Sequence, residues 1–212
     1  MAVSPRDEVD AFGRAFDSLC RAWVWWIVLG SLRVSGVPAL GIILALVVLF
    51  WLVRLQRATT GVVARYLRAC VAVSIVATVM LAVATIRDPD MIDSGGGSRS
   101  LGFDLGVIAV GLLLFCRAMQ LWLRVHDGRG QLLARWHRSE VWTRVAVVGG
   151  AIYLAALSVG GPALDDIRLG TRWGLAVFPL AVLAAVVGLG SLLSVGNSAG
   201  RTRDALQAYS AP

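Results

Sequence analysis

Two polar residues stand where a helix dissolved in hydrocarbon should have none. Arg117 follows the unbroken run Leu105 to Phe115, in which every residue is apolar or glycine, and Cys116; Gln120 comes three positions later. A charged group near the bilayer centre costs about 2.5 to 3.5 kcal/mol on insertion scales, so such residues normally face a protein interior or a cavity. Three-residue spacing puts Arg117 and Gln120 on one helical face, as an intramembrane polar pair and the first candidate for binding. The bland alternative is snorkelling: Arg117 lies about 10 Å of helix from Arg124, and its stem can carry the guanidinium to the head groups.

Other constellations carry weaker chemistry. Asp88, Asp90 and Asp93 share one segment, and Asp165 and Asp166 another. Carboxylates on one side of a membrane can hold a divalent metal against a lipid-linked or prenyl phosphate, yet the adjoining Ser94-Gly95-Gly96-Gly97-Ser98 is linker chemistry. His126, His137 and Glu140 read as residues of a solvated basic loop rather than metal ligands. Gly196-Asn197-Ser198-Ala199-Gly200 matches the letters of a nucleophile elbow, but it follows an apolar helix and no histidine comes after it, so a helix-ending turn is expected. Cys20, Cys70 and Cys116 are odd in number and embedded in apolar sequence, so they read as packing residues. Walker A, dinucleotide and H-E-x-x-H motifs are absent. No metal or cofactor is expected.

The elements that must position Arg117 and Gln120 are membrane spans. Of 212 residues, 58% are hydrophobic and only 16% charged, against roughly a quarter charged in soluble domains. Apolar runs extend over Val37 to Val53, Ala69 to Ile86, Leu105 to Leu123, Val145 to Leu164 and Trp173 to Val195. At about 1.5 Å per residue these cover roughly 26 to 35 Å, which matches a hydrocarbon core of about 30 Å. Upstream, Val9, Phe12, Phe16, Leu19 and Trp23 recur at helical spacing between charges, so residues 8 to 21 form an amphipathic helix. The tryptophan-rich Ala22 to Leu32 covers only about 17 Å.

Charge asymmetry orients the chain. The connection from Arg54 to Arg68 carries Arg54, Arg57, Arg65 and Arg68 and no acid, and that from Arg124 to Arg144 carries five arginines against Asp127 and Glu140. Both should face the cytoplasm, where guanidinium groups meet anionic lipid. The intervening connections hold two arginines each and the aspartates above, and should lie outside. A five-span chain would have to translocate its N-terminal charges, Asp7, Glu8, Asp10 and Asp17 with Arg6, Arg14 and Arg21, and these fit no cleaved leader. Six spans keep that end inside, with a Ser35, Gly36, Pro38 turn after a short first span. The count falls to five if the tryptophan-rich segment is interfacial.

The expected fold is therefore all-α, a polytopic transmembrane bundle with both termini cytoplasmic. Residues 1 to 21 are a cytoplasmic amphipathic helix, 22 to 195 the membrane domain and 196 to 212 a short tail. In the last span Ala181, Ala184, Gly188 and Ser191 form a small-residue stripe for packing within the bundle or against another membrane subunit, and Pro179 should bend the helix. A shift of 70 residues aligns Val62 to Arg68 with Leu132 to Arg138, either a duplicated hairpin or chance in an arginine- and valine-rich chain. The net charge of +7 is spent beside apolar segments, so lipid head groups and not nucleic acid are the expected partner. All 20 basic residues are arginine, which fits a GC-rich bacterial genome. These features point to a non-enzymatic protein of a bacterial inner membrane, a small-molecule transport component or an accessory subunit. The competing class is a lipid-phosphate enzyme built on the outer aspartates. A third is a surface sensor whose N-terminal amphipathic helix reads lipid packing.

Overall fold

A computed structural model describes residues 5–31, 38–87, 98–126, 130–159 and 172–210. Among the described residues there are six helices and no strand. They are α1 (Pro5–Ser31), α2 (Pro38–Arg57), α3 (Gly61–Arg87), α4 (Ser98–His126), α5 (Gly130–Val159) and α6 (Arg172–Ser210). Consecutive helices pack on one another, and α1 returns against α6. Three stretches, Gly61–Met80, Val107–His126 and Val182–Ala208, are long and apolar enough to cross a membrane. Outward stripes such as Leu46 and Phe50 on α2, Val76 and Val79 on α3, and Val186 and Leu189 on α6 are exposed and apolar, the surface a bilayer would cover.

The helices run well past the apolar segments, which corrects the expected loops. Arg54 and Arg57 lie in the last turn of α2, and Arg65 and Arg68 in the first turns of α3. Only residues 58 to 60 link the two helices. Ala58 N–H donates to the Arg54 carbonyl at 3.1 Å, the Thr59 hydroxyl to the Gln56 carbonyl at 3.0 Å, and Gly61 takes a φ of 65°, a conformation that favours glycine. Likewise α5 begins at Gly130, so Arg135, Arg138, Glu140 and Arg144 are helical. α6 continues through Pro179 and through Gly196 to Gly200, so residues 196 to 210 extend the same helix and the expected helix-ending turn is absent. Hydropathy finds where a helix becomes polar. It is blind to where one ends, because arginine and alanine are good helix formers.

α1 joins the amphipathic and tryptophan-rich segments in one helix of 27 residues. Phe12 and Phe16 are fully buried: Phe12 stacks on Trp122 of α4 with centroids 4.0 Å apart, and Phe16 on Phe115 at 6.4 Å. The apolar face expected to sense lipid is thus committed to the bundle. Asp17 pairs with Arg21 on its own helix and with Arg203 of α6. The main core gathers Phe12, Phe16, Leu55, Leu67, Met119, Leu123, Trp136 and Val195. Beside this core α1 meets the last turns of α6, where Arg203 reaches Asp17. The two segments aligned by the 70-residue shift open helices α3 and α5, but Ala64 and Leu67 are buried, whereas their counterparts Ala134 and His137 are exposed.

Candidate functional site

Glu140 is the centre of the polar site, and its side chain is only 1% exposed. From α4, Arg117 Nε lies 2.8 Å from Glu140 Oε1, and Gln120 Nε2 donates to Oε2 at 2.6 Å and to the Trp136 carbonyl at 3.2 Å. From α5 itself, Arg144 donates to Oε1, and His137 Nδ1 stands 4.0 Å from Oε2. Residues 137, 140 and 144 share a face of α5 by helical spacing, as 117 and 120 do on α4. The two faces meet on one carboxylate.

The expected polar pair is therefore part of a larger cluster. Gln120 is 2% exposed; the Arg117 side chain keeps 41% of its surface free and that of Arg144 54%. Arg117 engages Glu140 through Nε while its side chain stays partly accessible. Two guanidiniums on one carboxylate leave one excess positive charge. Glu140 itself was expected in a solvated loop, and that expectation is overturned. A signal was present: it is the lone acid between Asp127 and Asp165, in a stretch with four arginines.

A hydroxyl seam continues the cluster between α5 and α6. Ser139 Oγ donates to the Ser194 carbonyl at 3.0 Å and lies 2.8 Å from Ser198 Oγ. Thr143 Oγ1 and Ser191 Oγ are 2.9 Å apart, and Trp136 Nε1 donates to Thr202 Oγ1 at 2.9 Å. Ser198, the letter match to a nucleophile, is thus buried in a helix–helix contact within a continuous helix, where neither an elbow nor a helix-ending turn exists. Of the small-residue stripe, Ser191 is buried against Thr143, while Ala184 and Gly188 are half-buried; Ala181 lies outside the described side chains. This end of the stripe packs inside the bundle.

The other candidates among the described residues do not join the cluster. Arg54, Arg57, Arg65 and Arg68 are exposed, with the Arg54 guanidinium over the rings of Phe50 and Trp51 at 5.3 and 5.7 Å. His126 stacks on Trp122 at 4.6 Å, at the end of α4. Asp88, Asp90, Asp93, Asp165 and Asp166 lie outside the described residues. Among the described residues no three histidine, cysteine or acidic side chains converge as metal ligands would. Compared with known proteins, the chain matches no family model, no curated protein and no solved structure.

Proposed function

We propose that the chain is a six-span protein of the bacterial cytoplasmic membrane, with both termini cytoplasmic, that works without chemistry of its own. Its task is that of a small-molecule transport component or an accessory subunit of a membrane complex. Glu140 carries the reading. A carboxylate engaged by two guanidiniums and an amide is poorly placed to take a proton from a substrate; it is well placed to fix α4 against α5. The accessible parts of Arg117 and Arg144 then offer positive charge to a solute or a partner. The acid-free arginine cluster about the α2–α3 turn supports the orientation.

Three experiments test it. With Thr60→Cys as reporter, a membrane-impermeant maleimide should label the chain only after the cells are opened; labelling of intact cells overturns the orientation. Arg117→Leu should insert at normal levels yet change the chain's migration in native gels or lower solute uptake by vesicles. Unchanged migration and uptake would remove this site, and turnover of a lipid phosphate by the purified chain would overturn the non-enzymatic reading.

A further inference from the structure

Helices α1 to α4, with Ala199 of α6, line a partly open cavity of about 190 Å³. Its wall includes Trp23 of α1, Val48 and Leu52 of α2, Val73 and Ala77 of α3, and Phe115 of α4. The Thr78 hydroxyl on the wall donates to the Ser74 carbonyl at 2.8 Å, and the Cys70 thiol to the Gly111 carbonyl at 3.3 Å. A buried water needs two to four polar partners, and apolar cavities of about 150 Å³ stay dry and take up apolar molecules. The α3 and α4 parts of this wall lie in the stretches Gly61–Met80 and Val107–His126, both fit to cross a membrane. At that depth the surrounding solvent is acyl chain.

Charge identifies the other end of the occupant. Leu52 and Cys70 belong to the wall, and Arg54 and Arg68 each follow or precede them by two residues, about 3 Å of helix rise. Both stand on the outward faces of their helices, and with Arg57 and Arg65 they make four exposed cations with no acid from residue 54 to 68, within reach of the head-group layer above the cavity. Arginine pairs with phosphate through parallel N–H···O bonds.

We propose that this cavity holds one acyl chain of an anionic phospholipid whose phosphate is bound by the arginines flanking the α2–α3 turn. The six-span reading enters only in saying which leaflet supplies the lipid, and maleimide labelling judges that separately. The test uses the full chain in phosphatidylcholine vesicles containing a little phosphatidylglycerol with a diazirine midway along one acyl chain. After illumination, cross-linked peptides should carry label on the cavity wall several-fold above the lipid-facing stripe of α6 at Val186 and Leu189. Unlabelled phosphatidylglycerol should displace it and phosphatidylcholine should not. Ala77→Phe should remove wall labelling and spare α6. If α6 labelling also changes, Gly111→Leu, which fills the same space from α4, is read instead. The paired change Arg54→Gln and Arg68→Gln should abolish the preference for the anionic lipid. Wall labelling no higher than on α6, equal displacement by both lipids, wall labelling that survives both filling variants, or displacement at lower mole fraction by a polyprenyl phosphate each overturns the proposal.

Discussion

Helix α4 packs against α3 on one side and against α5 on the other, and the two contacts are made of different material. Toward α3 it offers Val107, Gly111 and Leu112 and borders a cavity. Toward α5 it offers Arg117 and Gln120, and both bond to Glu140. Between helices in lipid there is no hydrophobic driving force, because acyl chains are as apolar as leucine. An apolar contact can thus stay open where lipid or ligand fills it, whereas a contact carrying a buried carboxylate must close, since an unpaired charge there is costly. The same helix therefore has one face that fixes its position and one that leaves room.

The sharpest way to break this contrast is to empty the charged side. Glu140→Ala leaves Arg117 and Arg144 without their carboxylate; removing one partner of a buried pair costs about 3 to 5 kcal/mol. Because both arginines are partly exposed, we expect about 2 to 3 kcal/mol, read from the detergent midpoint of unfolding in mixed micelles. The double variant Arg117→Leu with Glu140→Leu should recover part of that loss. A single variant as stable as the parent would show that the α4–α5 contact is no more demanding than the α3–α4 one.

A smaller effect is expected in the hydroxyl seam. Ser139→Ala removes the bonds to Ser194 and Ser198, and interhelical hydrogen bonds in membranes average about 0.6 kcal/mol. A loss of about 1 kcal/mol should appear in the same titration. If Ser139→Ala costs as much as Glu140→Ala, the seam and not the carboxylate holds α5 in place.

Much of this arrangement could be read before any fold was known, and the unread part has physical causes. Arg117 and Gln120 stood out because each breaks an apolar run. Their shared partner did not, because Glu140 is 20 residues from Gln120 and precedes the apolar run that opens at Val145. Pairing across a turn is set by how far both helices run on, and α4 to His126 with α5 from Gly130 brings 120 opposite 140. The periodicity of α1 gave its amphipathic face but not what that face meets, since lipid and Trp122 are equally apolar partners. Ser198 had the reverse difficulty: its letters suggested chemistry, and only the continuous α6 reveals a packing contact.

The finest probe of the contrast is Gly111, on the roomy face. A Cβ there would lie 3.6 Å from Val73 Cγ1, ordinary van der Waals contact, with no other atom of a neighbouring helix within 4 Å. Its carbonyl accepts the Cys70 thiol, a bond that needs no side chain at position 111. Glycine in a helix interior is less favourable than alanine by about 0.5 to 1 kcal/mol. Gly111→Ala should therefore raise stability by about 0.5 kcal/mol in the micelle titration, while taking only a methyl group's space from the cavity. A loss instead would mean that α3 and α4 are already fitted as tightly as α4 and α5, and the two faces of α4 would then differ in chemistry alone.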